Sequence, residues 1–217
     1  MVKCTAPPIL HLPTYAMPME HRSKKNRRRD NINSNIRHCE SSAVHSPISI
    51  TTAGEAVTKQ LIPTRGGVII YTTYHEQVYL GLAVDSQTHD LTDFGGQLYY
   101  DNDPDCITGS LREFQEETMG IFAPLTSEQV APYSSIHDEA NIITFLHLAV
   151  HPDQVSAAFL NAHSEHVRKL KKKPEVCGIT WLSIEEFTTA VAAPGVLYQR
   201  LQKVLAQVTA VQWETIL

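Results

Sequence analysis

The most informative segment of the chain is Arg112-Glu113-Phe114-Gln115-Glu116-Glu117, and a Gly95-Gly96 pair lies upstream of it. An α-helix turns by about 100° per residue, so it places all three glutamates and the arginine on one face. The opposite face carries Leu111 and Phe114 and is predicted to pack against a sheet. Neighbouring carboxylates repel one another, and a hard divalent cation is the usual way to relieve that repulsion. A metal site is therefore predicted, although the pattern alone also fits an acidic face turned to water.

Strand signals lie on both sides of this helix. Val68–Tyr71 and Val78–Val84 are rich in β-branched and aromatic residues, and the short polar segment between them predicts a hairpin. Asn141–Val150 and Ile179–Leu182 are two further predicted strands. Strands and helices follow one another without a strict βαβ alternation, which favours an α+β sandwich.

Several signals mark the ends of helices. Asp103-Pro104 offers an N-cap followed by proline at the first helical position, so the glutamate helix is predicted to begin there. It is predicted to end near Met119-Gly120, where the apolar spacing stops. A second helix is predicted over residues 153–166, and the Ser-x-x-Glu pattern of Ser183 and Glu186 predicts a capping box for a third.

Together these features resemble one known family. Gly95–Ile121 is similar to the Nudix box, whose usual form is G-x5-E-x7-R-E-U-x-E-E-x-G-U, with U an aliphatic residue. Gly66–Ile70 resembles the first core strand of Nudix proteins, and Trp181–Phe187 resembles their late strand-to-helix corner. The resemblance implies an α/β/α sandwich with a mixed sheet, in a domain predicted over residues 62–217.

The box departs from its usual form in three ways. One extra residue lies between Glu117 and Gly120, the loop from Gly96 to Arg112 is two residues longer, and Pro104 replaces a usual glutamate. The helical spacing of the three glutamates is unchanged. The metal site is therefore expected to survive these changes. Because Pro104 stands in place of the usual glutamate, no carboxylate is assigned in the first helical turn.

The resemblance also implies roles for individual residues. Mg²⁺ or Mn²⁺ is expected to be held by four groups: Glu113, Glu116, Glu117 and the backbone carbonyl of Gly96. Arg112 is expected to orient the glutamates, and Glu175 to act as a further ligand or general base, unless it is only an exposed loop acid. A bound metal neutralises a diphosphate and lowers the pKa of an attacking water. The expected reaction is therefore hydrolysis of a pyrophosphate bond in a nucleoside diphosphate linked to a second group.

A basic segment lies directly before Glu175. It is predicted to be a loop and carries the expected phosphate-binding side chains Arg168, Lys171, Lys172 and Lys173. These cations would bind the phosphates of a small nucleotide or of an RNA chain, because such contacts do not depend on base sequence. A lysine loop turned to water is equally consistent. An mRNA-decapping Nudix hydrolase acting on capped RNA is thus one alternative, and a Nudix-fold binding or regulatory protein without catalysis is another.

The N-terminal 61 residues differ in composition from the rest of the chain. They carry 9 Lys and Arg against 4 Asp and Glu, whereas residues 62–217 carry 9 against 19. Scattered prolines and the lack of an apolar period predict a mostly disordered extension over residues 1–61. The cluster Lys24–Arg29 fits a nuclear address, a phosphate-binding arm or a solvated charge run.

Composition limits the remaining possibilities. The chain is 42% hydrophobic and 19% charged, which is typical of a globular protein and excludes a collagenous or wholly disordered one. Its four cysteines lack the spacing of a metal site or disulfide framework, which favours a reducing compartment. No apolar run is long enough for a membrane span or resembles a secretory signal. We expect an intracellular, cytoplasmic protein without membrane attachment, with nuclear entry through Lys24–Arg29 as a further expectation; the sequence predicts no oligomeric state.

Overall fold

The computed structural model describes residues 49–51, 62–130, 133–170 and 173–217. The strands of this part are β1 (Ser49–Thr51), β2 (Arg65–Tyr74), β3 (Gln77–Asp85), β4 (Leu91–Thr92), β5 (Phe94–Gln97), β6 (Ser135–His137), β7 (Asn141–His147) and β8 (Val176–Ser183). The helices are α1 (Cys106–Glu117), α2 (Ser127–Val130), α3 (Pro152–Leu170), α4 (Ile184–Ala192), α5 (Gln199–Leu205) and α6 (Ala210–Ile216).

The strands form one mixed sheet. Its order is β1-β6-β7-β2-β3-β4, with β5 also paired to β2 and β8 also paired to β3. Strands β2 and β7 run parallel over seven residue pairs from Arg65–Asn141 to Tyr71–His147, and the other named pairs are antiparallel. The mixed strand order confirms the predicted α+β class.

Helices cover both faces of this sheet. On one face, Ile69 of β2 belongs to the core that α4, α5 and α6 complete with Phe187, Leu201 and Trp213. Successive strand residues point to opposite faces, and Gly66 accordingly points to α1. A Cβ on Gly66 would lie 2.1 Å from Ser110 Oγ, so glycine allows α1 to approach the sheet closely. The result is the predicted sandwich of helices, sheet and helices.

Helix α3 lies on the same face as α1. Trp181 of β8 pairs with Gly81 of β3, and its Nε1 donates a hydrogen bond to Ser156 Oγ of α3 at 3.2 Å. A Cβ on Gly81 would lie 2.8 Å from Ile70 Cγ1 and 3.0 Å from the Trp181 ring. The missing side chain therefore leaves the space that the indole needs beneath α3.

The predicted hairpin is confirmed, and its turn is tight. Strands β2 and β3 are joined by His75 and Glu76, which have φ values of 48° and 63°. Positive φ at both central residues is the geometry that matches the twist of two antiparallel strands in a two-residue turn. Both turn residues are polar and exposed to water.

The predicted start of the glutamate helix was wrong by two residues. The N-cap is Asp105, whose Oδ1 accepts a hydrogen bond from Thr108 N at 2.7 Å. Asp103 is instead buried and accepts a hydrogen bond from Tyr99 N at 2.9 Å, besides binding an arginine of the helix. The helix also ends earlier than predicted, at Glu117, because Met119 adopts a positive φ of 54°.

The basic segment before Glu175 was also assigned incorrectly in part. Arg168 belongs to the last turn of α3, which continues to Leu170, so this portion is helix and not loop. An ion pair between Lys169 Nζ and Glu165 Oε2 at 3.0 Å spans one turn there. An ion pair with this i,i+4 spacing stabilises an exposed helix. Helix α3 ends four residues beyond its predicted end.

Most of the predicted extension lies outside the described residues. Ser49–Thr51, which the sequence placed within it, pair antiparallel with β6 and form an edge strand of the sheet. The disorder expected over residues 1–61 and the cluster Lys24–Arg29 therefore stay predictions. Within the ranges described, no helix combines the length and apolar character needed to cross a membrane.

The capping box of α4 gives a first testable prediction. Ser183 Oγ accepts from Glu186 N at 3.2 Å, and Glu186 Oε2 accepts from Ser183 N at 2.8 Å. We expect Ser183→Ala to lower the free energy of unfolding by about 1 kcal/mol, measured by urea denaturation. Ser164→Ala in the exposed middle of α3 is the control and should be neutral, since it removes no cap. Equal losses in both variants would contradict the capping role.

Candidate active site

Strand β5 brings the Gly95-Gly96 pair against the C-terminal half of α1. The Gly95 N–H donates a hydrogen bond to Glu117 Oε2 at 2.6 Å. A Cβ on Gly96 would lie 2.2 Å from Glu113 Oε2, so the absence of a side chain makes room for that carboxylate. The glycine pair and two of the three glutamates therefore meet at one point.

Arg112 connects the acidic residues of α1. Its Nε and Nη2 donate to the two oxygens of Asp103, each at 3.0 Å. Its Nη1 donates to Glu113 Oε1 at 2.7 Å and lies 3.4 Å from Glu116 Oε1. These hydrogen bonds, led by those to Asp103, raise the pKa of the guanidinium, which stays charged. The arginine thus contacts two of the three glutamates, and the orienting role expected for it stays a prediction.

A cleft of about 450 Å³ opens beside this cluster. Six charged side chains line it: Arg65, Asp85, Asp93, Glu117, Glu175 and Arg200. Among the three helix glutamates, only Glu117 reaches the cleft wall, whereas the Glu116 side chain is 62% exposed outside it. The backbone of Gly96 also borders the cleft. The structure therefore brings Glu117, Glu175 and Gly96 together.

Glu117 lies in an environment that disfavours its charge. Burial and then the nearby charge of Asp93 raise the pKa of its carboxyl to about 8, and Glu175 adds to this increase. The Gly95 N–H and Arg65 oppose it but are outweighed. Without a further positive charge, Glu117 is thus mostly protonated at neutral pH. A cation beside it would favour the ionised carboxylate.

The donor set fits a divalent metal in its chemistry. Hard cations prefer carboxylate and carbonyl oxygens, and Arg112 contacts only one oxygen each of Glu113 and Glu116. Glu113 and Glu116 thus each keep one carboxylate oxygen that Arg112 does not contact. Among the described residues, no three Asp, Glu, His or Cys side chains already stand at ligand geometry. The ligand assignment accordingly stays a prediction.

Asp93 forms a charged centre that the sequence analysis did not identify. Its side chain is fully buried, with Arg65 Nη1 at 2.5 Å and Arg200 Nη2 at 3.3 Å. Burial alone would raise the pKa of Asp93, but the two arginines hold it below its usual range. Arg65 also donates to the Gly95 carbonyl at 2.7 Å, which ties this centre to the glycine pair.

Residues far apart in sequence build this centre, which is why local patterns missed it. Arg200 and Asp93 are 107 positions apart. The one available signal was Asp93 itself, a charged residue placed between the apolar strand residues Leu91 and Phe94. A charge in such a position is rarely buried without a partner.

The predicted phosphate-binding residues are only partly described. Lys171 and Lys172 lie outside the described residues. Lys173 is exposed, and its ammonium group donates to the carbonyl of Ser86, next to the cleft residue Asp85. Arg168 lies on α3 and is not among the residues that line the cleft. A phosphate-binding role of this segment stays a prediction.

The closeness of Gly96 to Glu113 allows a sharp substitution test. If Glu113 is a metal ligand as expected, Gly96→Ala should lower metal-dependent turnover by about 10- to 100-fold, because the new methyl group would displace the Glu113 carboxylate. Gly178→Ala is the matched control, because its Cβ would meet nothing closer than 3.6 Å. Steady-state kinetics of both variants check this. Equal activity in the two would show that the position of Glu113 is unimportant.

Comparisons with known proteins return solved structures only. No protein-family model matches the chain, and no curated protein matches it. One similar structure is the C. elegans Ap4A hydrolase, with 14% identity over 67% of this chain and 95% of that chain and a TM-score of 0.37. Another is the NUDIX domain of Shewanella oneidensis NrtR complexed with ADP ribose, with 12% identity over 66% of this chain and 83% of that chain and a TM-score of 0.38. At these identities and TM-scores the similar structures assign no function to this chain.

Proposed function

We propose that the protein is a Mg²⁺- or Mn²⁺-dependent hydrolase that cleaves a pyrophosphate bond in a nucleotide-like substrate. The observation that carries the proposal is the buried Glu117 carboxyl, hydrogen-bonded to Gly95 N at 2.6 Å and open to a cleft that also holds Glu175. Burying an acid among other acids costs stability. A protein that only needed to fold would gain from a neutral residue there, so the arrangement supports a cation-dependent role.

The residues of the candidate site are proposed to have two kinds of role: some would hold the metal, and others would position its ligands. Glu113, Glu116, Glu117 and the Gly96 carbonyl would hold the metal, which supplies charge neutralisation for the diphosphate and a more acidic water. Arg112 keeps Glu113 and Glu116 oriented through its anchor on Asp103. Glu175 lies across the same cleft as Glu117, where a carboxylate accepts a proton from water during hydrolysis.

The direct test is a hydrolysis screen. Purified protein with Mg²⁺ or Mn²⁺ is incubated with nucleoside triphosphates, dinucleoside polyphosphates, nucleotide sugars and capped RNA, with Glu117→Gln beside it. We expect cleavage of at least one substrate and loss of that cleavage in the variant. Absence of any turnover sensitive to the variant would favour the non-catalytic binding protein instead.

Capped RNA is the second candidate substrate. The observation that favours it is the contact of Lys173 with Ser86, which fixes the end of the basic segment beside the cleft residue Asp85. Cations at the mouth of a site can track an RNA backbone. We expect RNA binding to weaken steeply as salt rises, and release of m7GDP from capped RNA. RNA binding that is absent or indifferent to salt would leave the small-nucleotide hydrolase.

A further inference from the structure

Two cleft residues, Tyr198 and Arg200, have no role in metal binding. Tyr198 is 38% exposed, although it is a large aromatic residue, and it borders the cleft with Glu117 and Asp93. The guanidinium of Arg200 lies 5.4 Å from the centre of the Tyr198 ring. An aromatic ring and the cation that lies over it thus stand on one wall of the candidate active site.

Hydrogen bonds hold the backbone of Tyr198 against the sheet. Tyr198 N donates to the Leu91 carbonyl at 2.8 Å, and Leu91 N donates to the Val196 carbonyl at 3.0 Å. These bonds tie the segment before α5 to β4, directly before Asp93. Because the backbone is already held in place, less entropy is lost when a ligand stacks on the side chain. The position is therefore suited to recognition.

Arg200 retains hydrogen-bonding capacity toward the cleft. A guanidinium has five N–H donors, and the hydrogen bonds of the described part of the chain use only the one at Nη2, to Asp93. Arg65 already contacts the other oxygen of Asp93, so two positive charges share one buried negative charge. Arg200 thus borders the cleft with N–H donors to spare, and a phosphate with its several acceptor oxygens fits them.

We propose that Tyr198 stacks on the nucleobase of the substrate and that Arg200 binds the adjacent phosphate. The inference rests on the proposed function and narrows it to substrates that carry an aromatic base beside their diphosphate. Stacking recognises the flat face of any base, so the pair sets the substrate class and not the identity of the base. A pyrophosphate compound without an aromatic base would gain binding free energy from Arg200 but none from stacking on Tyr198.

Binding measurements separate the two contributions. Calorimetric dissociation constants in Mg²⁺ buffer are compared for the four common nucleoside diphosphates and inorganic pyrophosphate. We expect Tyr198→Ala to weaken the best nucleoside diphosphate by about 5- to 100-fold, as loss of one stacked base does, and to leave pyrophosphate within twofold. Tyr198→Phe should bind like the wild type. Arg200→Gln and Arg200→Lys should weaken both classes of ligand together.

Tyr99→Ala is the matched control. Tyr99 is 49% exposed and also has an arginine 5.4 Å from its ring centre, but it does not border the cleft. Its partner Arg112 is anchored by Asp103 without it. Nucleoside diphosphate binding should therefore be unchanged in this variant.

The proposal is overturned if Tyr198→Ala leaves nucleoside diphosphate binding unchanged, or weakens pyrophosphate by the same factor. It is also overturned if the wild type binds no nucleoside diphosphate more tightly than pyrophosphate. The hydrolysis lost or kept in Glu117→Gln tests the proposed function separately, since that variant keeps Tyr198 and Arg200.

Discussion

Replacing Glu117 by glutamine is expected to stabilise the metal-free protein at pH 7. The Glu117 carboxyl is buried beside Asp93, and its pKa is raised from 4.5 to about 8, so folding forces it to take up a proton. Glutamine has the same shape, accepts the Gly95 N–H, and needs no proton. The expected gain in unfolding free energy is on the order of 3 kcal/mol at pH 7, measured by urea denaturation in EDTA.

The pH dependence of this gain has a defined direction. Between pH 4.5 and about 8 the folded wild type binds one proton at Glu117 that the unfolded chain does not. Its stability must therefore fall as pH rises through this window. The difference between the variant and the wild type should be small near pH 4.5, grow with pH, and level off above about pH 8.

The control for this experiment is the neighbouring residue. Glu116 lies next to Glu117 on α1, but its side chain is 62% exposed. Glu116→Gln should leave the metal-free stability nearly unchanged at every pH. Adding Mn²⁺ should stabilise the wild type and not Glu117→Gln, because binding to the folded state alone raises stability. If Glu117→Gln were less stable than the wild type, burial beside Asp93 would not be unfavourable for the Glu117 carboxylate.

Replacing Asp93 by asparagine is expected to have the opposite effect. Asp93 is fully buried, and it compensates both Arg65 and Arg200. Asparagine removes the negative charge, so the guanidinium groups of Arg65 and Arg200 are left without a compensating carboxylate. Breaking a buried ion pair from one side costs about 3 to 5 kcal/mol. We expect a loss of that size in the free energy of unfolding at pH 7.

An exposed ion pair provides the comparison. Lys169 and Glu165 on α3 are 3.0 Å apart and both more than half exposed. Glu165→Gln should leave the unfolding transition unchanged within error, since solvent already screens such a pair. If Asp93→Asn proved as harmless as Glu165→Gln, the charged centre would not hold β5 and α5 together.

Local patterns in the sequence predicted the elements of the fold but not all of their ends. The hairpin of β2 and β3 and the Ser183 capping box depend on neighbouring residues, and both are confirmed. The start of α1 could not be read in the same way, because Asp103 and Asp105 are equal as N-caps. Asp103 turns inward to meet Arg112, nine positions later, and the Tyr99 N–H, and Asp105 is the residue that caps.

In the candidate site, too, local features could be predicted from the sequence and contacts between distant residues could not. The helix that carries Glu113, Glu116 and Glu117 has a spacing that its sequence alone reveals. The contact of Asp93 with Arg200 depends on how the junction of β4 and β5 meets α5 in the folded chain, and no local spacing contains that information. Tyr198 was missed for the same reason, because its role follows from its place on the cleft wall.

The proposed role of Glu117 in metal-dependent cleavage of a pyrophosphate bond is tested by the turnover of the best substrate. Turnover is measured for wild-type protein, Glu117→Gln and Gly178→Ala, each in EDTA and in Mg²⁺ or Mn²⁺. We predict that the wild type and Gly178→Ala are active only with metal, and that the turnover of Glu117→Gln falls about 100-fold or more, at least the cost of a disturbed metal shell. Equal turnover in EDTA, or a fully active Glu117→Gln protein, would rule out this role of Glu117.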